Sequence, residues 1–192
     1  MSRGLVALLA VVGILVVVVL MIFGSYVSAR NQMVAKDQGV KAAWSEVDVQ
    51  LERRADLIPN LVETVKGFTK EESGVYAEIA QARDGLMNAQ TPQAKIAANG
   101  RLDGALAKVL VLTENYPQLR SSEQFMRLQD ELAGTENRIA VARKRYNDAL
   151  QDYNTFILQF PNSVWAGMAG YKQNTAYFTA SPASQAVPSV KF

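Results

Sequence analysis

The residues with the most chemical capacity stand in one short run: Glu52, Arg53, Arg54 and Asp56 lead directly into Leu57-Ile58-Pro59-Asn60. Carboxylates beside guanidiniums can recognise a charged partner or act as a polar switch, and proline makes this a place where a helix bends. The same run also admits a structural role, a solvated face plus a buried Arg54 held by a carboxylate of a later helix, Glu136 or Asp130. Tyr146 and Tyr153 fall on an apolar stripe and are expected in the core. Beyond these the chain is poor in reactive groups. It holds no His and no Cys, which removes imidazole bases, thiol nucleophiles and the ligands that bind zinc, copper or haem most readily. No phosphate-cradling glycine loop occurs either. The expectation is a protein with no catalytic residue, no cofactor and no metal site, hence not an enzyme.

The elements that would position such a cluster are helices. Of 192 residues, 49% are hydrophobic and the net charge is +2. Arg3 precedes the first apolar segment, leaving 19 of the 20 basic residues against 18 acidic ones for the rest. That balance lacks the basic stripe that nucleic acid requires. From Gly4 to Ala29 there is no charged side chain. Leu5 to Phe23, with Leu5, Val6, Leu8, Leu9, Val16, Val17, Leu20 and Phe23 among its lipid-facing residues, approaches the roughly 20 apolar residues that cross a ~30 Å hydrocarbon layer. A cleaved leader is the competing reading, since Val27-Ser28-Ala29 resembles a cleavage site, but the apolar stretch is longer than a leader's and only Arg3 precedes it. Residues 1–29 are therefore read as a retained anchor touching lipid through residues 4–24. Arg3 before the span against Arg30, Lys36 and Lys41 soon after it places the rest of the chain in the cytoplasm.

After the anchor, apolar residues recur in steps of three and four. Val40, Trp44, Val47, Leu51, Arg54, Ile58, Leu61, Val65, Phe68, Glu72, Val75, Ile79, Ala82 and Leu86 form a first seam that keeps phase through Pro59. This predicts one helix over about 33–88, kinked at Pro59; the alternative is a break near Thr69–Gly74, with Thr69 as cap and Glu72 closing a capping box. Thr91-Pro92 starts a second helix, 92–116. Ser121 and Gln124 are expected to box the start of a third, 122–160, whose seam runs Phe125, Leu128, Leu132, Thr135, Ile139, Ala142, Tyr146, Ala149, Tyr153, Phe156, Phe160. At 1.5 Å per residue the outer helices would be roughly 60 to 70 Å long and the middle one about 35 Å. The fold class is then all-α: one N-terminal transmembrane helix followed by an elongated antiparallel bundle of long, short and long helices over residues 30–160. The short middle helix would leave apolar seam uncovered, which calls for a partner.

Beyond Pro161, large apolar side chains stand among Gly, Asn and Lys. Trp165, Tyr171, Tyr177 and Phe178 make 161–180 an aromatic segment that packs on the bundle or lies at the bilayer surface. Residues 181–192, rich in Ser, Ala and Pro, read as an extended tail.

The run AWSEVDVQLERRADLIPNLVETVKGF (Ala43 to Phe68), with Tyr153-Asn154, Phe160-Pro161, Tyr177-Phe178 and the closing PSVKF, resembles the LemA family. The resemblance covers essentially the whole chain, anchor included. It implies a bacterial membrane protein with an N-terminal span and a long helical bundle, and it carries over no catalytic residue. Together with the uncovered seam, the expectation is a single-pass protein of the bacterial inner membrane that serves as a scaffold and forms a homo-oligomer. An adaptor tethering another membrane or peripheral protein through Glu52–Asn60 or the tail, or a membrane-shaping protein using the segment near Trp165, are the alternatives.

Overall fold

The computed structural model describes residues 3–69 and 72–179, with the backbone alone for residues 3, 6 and 7. Among the described residues six helices occur in order: α1 (Arg3–Lys66), α2 (Ser73–Met87), α3 (Pro92–Asn115), α4 (Pro117–Arg120), α5 (Glu123–Leu158) and α6 (Asn162–Ala169). Among the described residues there is no strand, and the fold is all-α, a long apolar N-terminal helix followed by a helical bundle. The expected tail, 181–192, lies outside the described residues. The chain divides into two compact units, one of residues 3–41 with 148–175, the other of residues 42–147 with 176–179.

In the first unit the opening of α1 is exposed throughout its apolar run: Leu5, Leu8, Leu9, Val16, Val17, Leu20 and Phe23 all lie open to the surroundings, while the side chain of Val6 is outside the described ones. This helix is long and apolar enough to cross a membrane. Burial begins at Ala29 and Met33 and recurs at Val40, the three-and-four spacing of a helix packed on one side. The end of α5 faces it antiparallel, with the Lys36 ammonium 2.5 Å from Asp152 and 5.2 Å from the Phe156 ring centroid. Here α5 buries Leu150, Tyr153 and Ile157. Of the expected seam Tyr153 stays buried, whereas Leu150 and Ile157 take the places of Ala149 and Phe156, and Phe160 lies exposed beyond the end of α5. A straight helix turns every 3.6 residues, so a strict 3.5 repeat drifts off the buried face along its length.

The second unit is a four-helix bundle. The seam predicted on α1 is buried at Val47, Leu51, Arg54, Ile58, Leu61 and Val65. It does not continue into α2 as one helix. Helix α1 ends at Lys66, and Phe68 and Thr69 both donate backbone N–H groups to Val65 O, closing a turn that reverses the chain. Gly67, a weak helix former, lies in that turn. The hydroxyls of Thr69 and Tyr76 are bonded to each other, and Tyr76 Oη also donates to Thr69 O at 2.7 Å. These two bonds staple the start of α2 to the end of α1. The capping box of the alternative reading, Thr69 with Glu72, does not form, because Thr69 is committed to Tyr76 and Glu72 makes no side-chain cap. Phe68, past the end of the helix, is exposed.

Cross-links between elements give the directions. Arg83 on α2 reaches Ala55 on α1, so α2 runs back along α1. Lys108 on α3 meets Glu78 on α2. Lys95 pairs with Asp48 and Asp103 with Arg54, which makes α3 parallel to α1. Glu136 pairs with Arg54 and Arg145 with Glu46, which makes α5 antiparallel to it. The arrangement is up, down, up, down, in place of the expected long, short and long helices. Thr91 caps α3 as read from the sequence, its Oγ1 accepting from Ala94 N at 3.2 Å with proline at the first turn. At α5 the cap is Ser122, whose Oγ accepts from Phe125 N at 3.5 Å. Ser121 instead donates back to Gln118 O at the end of α4, so the cap falls one residue beyond the place the sequence pattern assigns.

Candidate functional site

Arg54 is the charged residue on the α1 seam, and the bundle closes over it. Its Nη1 donates to Asp103 Oδ1 at 2.5 Å and to Asn99 Oδ1 at 3.1 Å, both on α3. Glu136 Oε2 on α5 stands 3.1 Å away. Asn99, 1% exposed, also donates to Asp103 Oδ2 at 3.1 Å. One guanidinium therefore ties three helices together at the centre of the unit. Of the two acids the sequence offers as partners, Glu136 is the one in contact; Asp103 and Asn99 were missed. They stand four apart on α3, which is the spacing that puts two side chains on one face, and this was the available signal.

This network ends an apolar groove between α3 and α5, of about 490 Å³, lined among others by Leu106, Leu110, Leu132 and Ala133. Leu110 is 57% exposed on its rim and Val111 is also open. The rest of the Glu52–Asn60 run does not join Arg54: Glu52, Arg53, Pro59 and Asn60 are exposed, and Asp56 is too. Pro59 still shapes its surroundings. Having no N–H, it cannot donate to Ala55 O one turn earlier, and that carbonyl accepts instead from Arg83 Nε at 2.9 Å.

The aromatic segment divides between the units. In the bundle, Phe178 stacks on Trp44 with centroids 6.1 Å apart and meets Tyr146 edge-on at 5.9 Å. The Arg143 guanidinium lies 5.0 Å from the same ring. Asn147 holds the backbone of Phe178 with both ends of its amide, donating to the carbonyl at 2.8 Å and accepting from the N–H at 3.0 Å. Burial pushes the Tyr146 phenol above its ordinary pKa, and Tyr177 adds to the rise. Tyr177 itself is half-buried.

In the first unit Asn154 grips Asn174 in the same manner, donating to its carbonyl at 2.7 Å and accepting from its N–H at 3.0 Å. Tyr153 Oη donates to Lys172 O at 3.0 Å. Its phenol pKa is raised first by burial, then by Asp37 and Tyr171; Tyr171 is half-buried. Trp165 on α6 meets Tyr26 edge-on, centroids 5.6 Å apart. Together with Val19, Ile22, Phe23 and Met168 they line an apolar groove of about 280 Å³. Sequence reasoning saw the aromatics but missed both asparagine clamps, whose spacing of seven on α5 marks one face.

Among the described residues no group of three or more acidic side chains is placed to hold a metal ion. What the fold and these surfaces define is a membrane-associated helical protein: an apolar helix leading into a four-helix bundle with a buried ionic centre. The LemA family's sequence model matches residues 43–192, and the chain belongs to that family. It is similar to the magnetosome protein MamQ 2 of Paramagnetospirillum magneticum, 25% identical over 95% of this chain and 76% of that one. The magnetosome protein MamQ of Magnetospirillum gryphiswaldense is 23% identical over the same shares. The protein LemA of Metamycoplasma hominis is 22% identical over 81% of this chain and 71% of its own length.

Proposed function

We propose that the protein is a membrane-anchored, non-enzymatic scaffold that self-associates at the bacterial inner membrane, its bundle on the cytoplasmic side. The observation that carries this reading is the open apolar groove between α3 and α5, with the exposed Leu110 on its rim. An unfilled apolar channel on a folded bundle gains by accepting apolar side chains of another helix. A second copy is the occupant favoured here, because the apolar helix confines copies to one plane, in one orientation, and so raises their effective concentration. The lack of His and Cys supports a role without catalysis, and none of the relatives' names is that of an enzyme.

The test is the detergent-corrected mass of the full chain by light scattering over a wide concentration range. A multiple of 21.0 kDa is expected, with Leu110→Glu shifting the population to single chains while helicity by circular dichroism stays the same. A native chain that is monomeric at every concentration overturns the proposal.

A further inference from the structure

Helix α6, Asn162–Ala169, carries no charged residue, and between Leu158 and Thr175 the chain has a single charge, Lys172. A short surface helix in water would be expected to hide its apolar side chains or to have few. Here Phe160 is 84% exposed, Met168 72%, and Leu158 and Val164 are also open. Val164 and Met168 lie one turn apart and share a face.

The position of this patch is fixed by its contact with α1. Trp165 meets Tyr26, three residues past the last residue of the apolar run, about 4.5 Å at 1.5 Å per residue. Trp165 and Met168 also line a groove with Val19, Ile22 and Phe23, which lie within the run itself. An element seated there is level with the end of the membrane span, where lipid headgroups meet acyl chains. Side chains that would be costly in water are favoured at that depth, and Trp and Tyr are the residues that suit it. The charges nearest in sequence, Arg30 and Lys172, are both basic and exposed, the sign that anionic headgroups attract. Gly170, in the left-handed region at φ 78°, lets Tyr171 N turn back to Ala166 O at 3.0 Å and ends the helix sharply, so the chain leaves the patch at once.

We propose that α6 and the residues leading into it form a lipid-inserting foot, with Phe160, Val164 and Met168 entering the interfacial layer of the leaflet in which the span ends. The partner is a lipid surface, with anionic headgroups favoured.

Because the chain contains no cysteine, the full-length protein accepts single spin labels cleanly. Phe160→Cys and Met168→Cys, labelled and reconstituted in vesicles of phosphatidylcholine with phosphatidylglycerol, should collide with oxygen in preference to a water-soluble nickel chelate. The ratio should be several-fold above that at Gln151→Cys, an exposed position on α5. Labels as accessible to nickel as the one at position 151 overturn the foot, and so do labels shielded from both reagents, which would mean that protein covers the patch. A label-free check uses Trp44→Phe, which leaves Trp165 as the sole tryptophan. Lipids brominated near the headgroup should then quench its fluorescence more than lipids brominated deep in the chain, and an absence of quenching by either overturns the proposal. The mass measurement of the scaffold reading is independent of both, so the two can fail separately.

Discussion

A guanidinium inside a helical bundle is costly unless its hydrogen-bonding capacity is met. Arg54 meets that condition in part: Nη1 is held by Asp103 and Asn99 with Glu136 alongside, while its buried Nε makes no hydrogen bond. Its two acids keep roughly two-fifths of their side-chain surface exposed, 41% and 44%, so they can rehydrate if Arg54 is lost. Asn99 cannot, being almost wholly buried. Arg54→Met should therefore cost about 1–3 kcal/mol, chiefly by orphaning the Asn99 carbonyl. Asp103→Asn, which leaves an acceptor in place, should cost less. Thermal unfolding of the full chain in mild detergent, followed by circular dichroism, reads the order; equal midpoints for native protein and Arg54→Met would refute the network's role. The sequence disclosed part of this. A charge on an otherwise apolar seam announces a buried Arg54 and a carboxylate to match, and Glu136 is among those available. Which acid of a parallel helix crosses the core depends on how the helices are arranged, and with the wrong helix count Asp103 was out of reach.

At the level of elements, the α1 seam was readable because packing demands a regular spacing, and Thr91-Pro92 because a cap and a proline act locally. The reversal after Lys66 was legible only as the alternative, a break near Thr69–Gly74. The apolar repeat keeps its phase across Gly67–Glu72, since α2 also packs one face on the core, and phase alone cannot distinguish a helix that continues from one that folds back. The decisive bonds join residues through space: Thr69 with Tyr76, and Arg83 with Ala55. The second explains how α1 tolerates Pro59. Proline withdraws the N–H that Ala55 O would receive, and a side chain of the next helix replaces it. Arg83→Leu should then lower stability by about 1–2 kcal/mol in the native chain. In a Pro59→Ala background the same change should cost far less, because position 59 again supplies a donor. A double-mutant cycle measures the difference. Equal costs of Arg83→Leu in both backgrounds would leave the proline without this compensation.

For the whole molecule the question with the largest consequence is the side of the membrane on which the bundle folds. In the folded chain the basic residues after the span are partly neutralised, Lys36 by Asp152 and Lys41 by Asp37 at 2.7 Å. That pairing does not cancel their influence. Orientation is decided as the span inserts, and Lys36 meets Asp152 only after α5 has been made and docked. During insertion Arg30, Lys36 and Lys41 therefore act against the lone Arg3, and they favour keeping the rest of the chain in the cytoplasm. The absence of cysteine, neutral as to compartment, makes the test direct. Full-length protein with Gln38→Cys, a position past the span, is produced in a bacterial host and treated with a membrane-impermeant maleimide. Labelling is expected only after the cells are lysed or in inverted membrane vesicles. Labelling in intact spheroplasts, with a cytoplasmic control protein unlabelled, would put the bundle on the outer face and oblige any partner, whether a second copy or a lipid leaflet, to be sought there.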